Sequence, residues 1–155
     1  MDDRPELRVR RATAGDLDAV ADVWHASAVE MDGDPDVPPR HALRTRIEAE
    51  LRSGWQLHVA VRGELVVGML AVKALDSVLD QIFVAPDAQG TGVGRALLQV
   101  AKSVMPAGFT LRMSASNGRA RHFYESQGLR LIAEGIHPWS GLPVQFFGWK
   151  IQQLD

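Results

Sequence analysis

Seven consecutive residues, Gln89-Gly90-Thr91-Gly92-Val93-Gly94-Arg95, carry the clearest chemical signal in the chain. They lie between an alternating apolar stretch and a stretch with helical spacing. A helix start leaves its first backbone N–H groups unpaired and sits at the positive end of the helix dipole. Such a turn can cradle a phosphate. Glycine lets a ligand approach the backbone closely, and Arg95 adds a fixed positive charge. The segment also reads as a helix start that merely uses glycine for its turn. Two phosphate motifs do not fit it. A Walker loop needs Gly-Lys-Ser/Thr, where this chain has Gly94-Arg95-Ala96. A dinucleotide fingerprint counted from Gly90 needs glycine at the position of Arg95 and an acidic residue about 20 positions on. No Asp or Glu lies between Arg95 and Glu125.

Composition narrows the chemistry further. The 155 residues include no cysteine, which excludes disulfides, thiolate metal sites and a cysteine acyl-enzyme. Acyl transfer by this chain would need another nucleophile or direct attack. Hydrophobic residues make up 46% and charged residues 23%, as in an ordinary globular protein, and the length suits one domain over 1–155. A formal net charge of -2 gives no global attraction to nucleic acid or to an anionic membrane, so neither is an expected partner. The start, Met1-Asp2-Asp3-Arg4, lacks an apolar signal core, and no apolar run is long enough to span a bilayer. A cytoplasmic location is the expectation. The five histidines do not fall into a zinc-type spacing, and no metal is expected.

The elements that must position the turn follow from periodicity. Residues 7–11 alternate weakly and predict a first strand. Thr13 and Asp16 form a capping-box pattern before a helix over about 15–31, marked by Leu17, Val20, Ala21, Trp24, Ala28 and Met31. The Pro/Gly/Asp cluster at 32–39 breaks it. Leu43, Ile47 and Leu51 mark a second helix, which Ser53-Gly54 ends. Strands follow at 57–61, 65–74 and 78–84, the last stopped by Pro86. After the glycine-rich turn, Val93, Ala96, Leu97, Val100 and Val104 share one helical face, closed by Pro106. A strand at 109–113, a short helix at 119–127 capped by Gly128, and strands at 129–133 and 144–151 complete the chain. The order β-α-α-β-β-β-α-β-α-β-β predicts a mixed α/β sheet and argues against a doubly wound parallel one.

Gln89-x-x-Gly92-x-Gly94, preceded by Ile82-Phe83-Val84-Ala85-Pro86, closely resembles the acyl-CoA signature of the GCN5-related N-acetyltransferase (GNAT) family. Asn117, Ala120, Phe123-Tyr124-Glu125 and Gly128-Leu129 resemble the family's second landmark, in the expected order. The resemblance extends over nearly the whole chain. It implies a central, mostly antiparallel twisted sheet flanked by about four helices. It also implies transfer of an acetyl group from acetyl-CoA, or another acyl-CoA, to a primary amine by direct attack in a ternary complex. A sensor that binds acyl-CoA without turnover is the alternative.

The resemblance assigns the CoA pyrophosphate to Gly90, Thr91, Gly92, Val93, Gly94 and Arg95, through backbone N–H groups, and counts Gln89 among the cofactor-binding residues. It assigns the pantetheine arm to the main chains of Ile82, Phe83 and Val84, with an N–H near Val84 polarising the thioester carbonyl as an oxyanion-hole donor. Asn117 matches a position that contacts the cofactor, although Asn-Gly is equally a good turn. Tyr124, the only tyrosine, matches the general acid. CoA leaves as a thiolate of pKa near ~8.5, and a tyrosine hydroxyl near ~10 can supply the proton. Relatives place a base on the strand before the turn. Here that strand offers Asp80, which alternation puts on the face of Ile82 and Val84. His58, His122, His137 or an ordered water are the other bases available.

The resemblance places the acceptor pocket at the first two helices, their connecting loop and the last hairpin. Between Ala12 and Pro39 lie Asp16, Asp18, Asp22, Glu30, Asp32, Asp34 and Asp36, with no Lys or Arg. Such a field would attract a cationic small molecule or peptide amine. Glu30 and Asp32, with cation–π contacts from Trp24 and Trp139, are the substrate residues this suggests. A solvated acidic helix is the bland reading, and Trp24 also falls on the apolar stripe of its helix. Phe146, Phe147 and Trp149 suit a homodimer contact or the core.

Overall fold

The computed structural model describes residues 4–32 and 37–151. Seven strands form one sheet: β1 (Leu7–Arg11), β2 (Gln56–Arg62), β3 (Leu65–Lys73), β4 (Val78–Val84), β5 (Phe109–Ser114), β6 (Arg130–Ile136) and β7 (Pro143–Trp149). Their spatial order is β1-β2-β3-β4-β5-β7-β6. Every neighbouring pair is antiparallel except β4 and β5, which run parallel. Four helices are described: α1 (Leu17–Asp32), α2 (Arg40–Arg52), α3 (Val93–Val104) and α4 (Gly118–Ser126). The mixed, mostly antiparallel α/β architecture that the sequence implies is the one observed.

The helices cover the two faces of the sheet. Leu17, Val20 and Trp24 of α1 and Leu43 and Ile47 of α2 pack on Leu57, Val59, Met69 and Ala71. Leu97, Leu98 and Ala101 of α3 and Tyr124 of α4 pack on Leu70, Val72, Phe109 and Phe147. β2 and β3 are therefore covered on both sides, which is why they read as nearly continuous apolar runs. Gly68 lets the start of α3 press onto β3, because a Cβ there would stand 2.8 Å from Val93 Cγ1. The last hairpin departs from expectation. β6 runs on to Ile136, which pairs with Pro143, and β7 stops at Trp149 because Lys150 turns the chain with φ 62°.

The register of β4 corrects one expectation. Gln81 faces Ala71 and Leu79 faces Val72, so Asp80 is the extra residue of a β-bulge. A bulge shifts the phase of the alternation. Ile82 and Val84 pack with the α3 cluster, whereas Asp80 Oδ2 accepts the indole N–H of Trp55, a residue of the α1/α2 cluster, at 2.8 Å. Asp80 thus faces α1 and α2 and does not share the side of Ile82 and Val84.

The capping residues enter α1 through a turn of 3-10 helix, Ala14–Asp16. The Asp16 carboxylate accepts the Thr13 backbone N–H at 2.7 Å and two bonds from the Arg10 guanidinium at 2.7 and 3.1 Å. The Arg10 bonds hold its carboxyl down at about 2. A depressed carboxyl stabilises the fold fully above its unfolded pKa of ~3.9, and that stabilisation is lost as pH falls through about 2. Asp16→Asn is expected to cost about 2 kcal/mol in urea unfolding at neutral pH. The variant should also lose less stability than the parent between about pH 4 and pH 2. Equal acid sensitivity of the two proteins would contradict this account.

Candidate active site

β4 and β5 share a single register pair, Val78 with Thr110, beside a bond from the Thr110 N–H to the Ser77 carbonyl at 3.0 Å. Beyond that rung the strands part. On its other side β4 stays paired with β3: Ala85 N–H donates to the Val67 carbonyl at 2.8 Å, and Ile82 stands opposite Leu70. In an antiparallel ladder, residues that exchange hydrogen bonds alternate with residues that do not. Phe83 and Ala85 therefore turn their polar groups to β3. Ile82 and Val84 turn theirs into the opening that β5 leaves. The Val84 carbonyl accordingly accepts the Ser27 hydroxyl of α1 at 2.6 Å and Gln89 Nε2 at 3.5 Å.

The opening widens into a cleft of about 630 Å³. The starts of two helices line it. Gly92 caps α3 with φ 90°, a left-handed backbone that costs other residues roughly 1–2 kcal/mol. The first bond within α3 runs from the Ala96 N–H to the Gly92 carbonyl, so the N–H groups of Val93, Gly94 and Arg95 have no acceptor in the helix. Arg62, at the end of β2, fastens the turn by donating to the Thr91 hydroxyl at 2.7 Å and its carbonyl at 2.8 Å. Across the cleft, Asn117 Oδ1 accepts the Ala120 N–H at 3.1 Å and caps α4. Arg95 and Arg119 also line the cleft, and neither has an ion-pair partner among the described residues.

Tyr124 reaches the same cleft from α4, with its ring held between Phe123 and Phe147 at centroid distances of 5.5 and 6.3 Å. Burial pushes its hydroxyl up to about 12, so it stays protonated at neutral pH. No described residue hydrogen-bonds that hydroxyl. The arrangement combines anion-binding N–H groups and two arginines at one end with a protonated phenol and free strand N–H groups at the other.

Of the residues singled out from sequence, the cleft brings together Ile82, Phe83, Val84, Gln89, Gly90, Gly92, Gly94, Arg95, Asn117 and Tyr124. The side chains of Thr91 and Val93 turn away, the first to Arg62 and the second into the core, so these two residues can offer only main chain. Asn117 is a helix cap and a lining residue at once. Asp80 does not line the cleft.

The acceptor residues fare differently. Trp24 is only 5% exposed, stacks on Phe83 at 5.6 Å and carries Arg46 on its ring, so burial removes it from direct contact with an acceptor. Trp139 is 92% exposed and Glu30 is exposed; neither lines the cleft. The side chain of Asp32, with Asp34 and Asp36, lies outside the described residues. Asp18 and Asp22 are engaged by Arg40 and Arg44 of α2, and Asp16 by Arg10, so this part of the acidic field is paired. His58 is buried in the sheet, and desolvation, aided by the Arg11 charge, lowers its pKa. It does not line the cleft either.

Four lining residues, Ser27, Arg119, Ser126 and Gln127, were not among those singled out from sequence. Ser27 is 1% exposed, three positions after Trp24 on the apolar stripe of α1. A polar residue at a core position was the available signal. Arg119, just after Asn117-Gly118, had none beyond its neighbours.

Comparison with known proteins agrees with this geometry. The family description "Acetyltransferase (GNAT) domain" matches residues 29–136, which is well over half of the chain. The chain belongs to the GNAT acetyltransferase family. No curated protein sequence matches it. Among solved structures, it is similar to a GCN5-related N-acetyltransferase from Rhodopseudomonas palustris, at 20% identity and a TM-score of 0.75 over 97% of this chain and 99% of that one. It is similar to apo YjaB from Escherichia coli at 23% identity and a TM-score of 0.72, over 93% and 97% of the two chains. It is also similar to yncA from Salmonella typhimurium, solved with its cofactor acetyl-CoA, at 16% identity and a TM-score of 0.70 over 94% and 93%. At these identities the likeness is one of fold. Among the described residues, no group of three or more His, Cys, Asp or Glu could hold a metal ion, and no helix is long and apolar enough to cross a membrane.

Ser27 joins α1 to β4 at the head of the cleft. Ser27→Ala would remove the shorter of the two bonds to the Val84 carbonyl, leaving only Gln89 Nε2 at 3.5 Å, and is expected to cost about 1 kcal/mol of stability. A urea midpoint equal to that of the parent would show that the bond contributes nothing.

Proposed function

We propose that the chain transfers an acetyl group from acetyl-CoA to the nitrogen of an amine, by direct attack within a ternary complex. The observation that carries this reading is the parting of β4 from β5 beside the start of α3. It aligns free strand N–H groups with an anion-binding helix start in one cleft. The CoA pyrophosphate lies on the N–H groups of residues 93–95 with Arg95 and Arg119 alongside. The pantetheine amides pair with the free polar groups of Ile82 and Val84, as an added strand would. The Val84 N–H donates to the thioester oxygen as negative charge develops there. Membership in an acetyltransferase family supports the group transferred, and the acetyl-CoA bound to yncA supports the donor.

The chemical step forms a carbon–nitrogen bond and breaks the carbon–sulfur bond. The sulfur leaves with the electron pair, and Tyr124 donates to it. A buried phenol near 12 would not give its proton to a thiolate that kept its aqueous pKa of ~8.5. The same dry surroundings raise the thiol as well, which narrows the gap where the transfer occurs. Asp80 takes the amine proton from the α1/α2 side. Its Oδ2 is fixed by Trp55 while Oδ1 has no partner among the described residues.

Tyr124→Phe separates this reading from that of an acyl-CoA sensor. The variant is expected to release CoA thiol about a hundredfold more slowly with a productive amine. Its acetyl-CoA dissociation constant, measured by calorimetry, should stay within about twofold of the parent. Undiminished kcat would remove Tyr124 from the mechanism. Acetyl-CoA binding without thiol release to any amine would favour the sensor.

A further inference from the structure

A second, smaller cleft of about 160 Å³ lies where β5 ends against the β6–β7 hairpin. Arg112, Ser114, His137, Ser140 and Leu142 are among its walls, and among the described residues no acidic one lines it. Arg112 has no ion-pair partner among the described residues. His137 Nδ1 accepts the backbone N–H groups of Trp139 and Ser140, each at 3.2 Å. Those bonds place the proton of the neutral ring on Nε2, so its outer edge is a donor. A guanidinium, an imidazole N–H and serine hydroxyls together suit an oxyanion, and a guanidinium matches a carboxylate with two parallel bonds.

The register ties this cleft to the proposed reaction site. Phe109 and Leu111 enter the core on the α3 side, so Arg112 projects to the opposite face. The last rung joining β4 to β5 is Val78 with Thr110. Two residues further along each strand stand Asp80 and Arg112, on the same face and on opposite sides of the opening. The other end of the cleft is joined to the cofactor side. The Asn117 N–H donates to the Ser114 carbonyl at 3.1 Å, and Asn117 lines the larger cleft. A carboxylate and a guanidinium thus flank the opening on the side away from α3, while the described aspartates of α1 are engaged by arginines.

We infer that the acceptor is an amine that also carries a carboxylate, an amino acid in type, and that Arg112 binds this carboxylate in the small cleft. The inference rests on the proposed acetyl transfer. It reverses the charge preference drawn from the acidic stretch of sequence: the acceptor's amine faces Asp80, and its acid faces Arg112. Arg112 sets specificity and takes no part in bond making.

The test is thiol release from acetyl-CoA by the full chain, with the proteinogenic L-α-amino acids and the matching L-amino acid amides as acceptors. At least one acid should be used with kcat/KM about tenfold or more above its amide. Arg112→Gln should bring that ratio close to one, and Arg112→Lys should retain part of it. Amides used as well as acids, a ratio that Arg112→Gln leaves alone, or no acid acetylated at all would each overturn the inference. Calorimetric binding of acetyl-CoA is measured alongside. A chain that binds acetyl-CoA and acetylates amides without preference keeps its proposed function and loses only this inference. A chain that binds no acetyl-CoA loses both.

Discussion

A parallel pair of strands that stops after one rung is the constraint on which the site depends. Once β4 and β5 part beyond Val78 and Thr110, the N–H and C=O groups of Ile82 and Val84 have no strand to bond. Backbone groups left in this way must find other partners. Ser27 supplies one, and in doing so fixes α1 to the strand at that point. The remaining groups stay open to a ligand that can pair like a strand. The opening persists because each side is held elsewhere. β3 and the two helix layers hold β4, while β7 pairs with β5 along its whole length.

The same parting accounts for the position of the glycine-rich turn. Leaving β4 at Val84, the chain passes through a short 3-10 turn and enters α3 at Gly92. The helix then crosses back over β3, where Gly68 allows close approach. The helix start therefore lies at the mouth of the opening, and Arg62 pins its turn from β2. The start of α4 faces it from the far side. On the proposed function, cofactor recognition in this arrangement would be largely a matter of main-chain geometry. Few side chains beyond the two lining arginines need be specified.

Much of this is legible in the sequence because it is local. Helical spacing, strand alternation and the Gly92-x-Gly94 turn are written in adjacent residues, and the order of elements follows from them. What depends on pairing is not. The bulge at Asp80 is a property of the register between β3 and β4, so alternation within β4 alone puts the carboxylate on the wrong face. The acidic run of α1 suggests a field for cations, but arginines from α2 engage Asp18 and Asp22 and Arg10 engages Asp16. Trp24 could be a binding aromatic, but its place on the apolar stripe of α1 favours the core, and its burial and stacking on Phe83 agree with that. Arg112 belongs to a strand whose alternation was recognised, yet only the placement of the last hairpin gives it a cleft.

The central claim is that acyl-CoA occupies the gap between β4 and β5 and pairs with β4 as a strand would. Amide hydrogen exchange followed by NMR tests it residue by residue. In the free protein, the Ile82 and Val84 N–H groups should exchange quickly, while those of Phe83 and Ala85, bonded to β3, are already protected. Saturating acetyl-CoA should slow exchange at Ile82 and Val84 by about tenfold or more. Binding that leaves both amides exchanging at their free rates would place the ligand outside the gap and contradict the account.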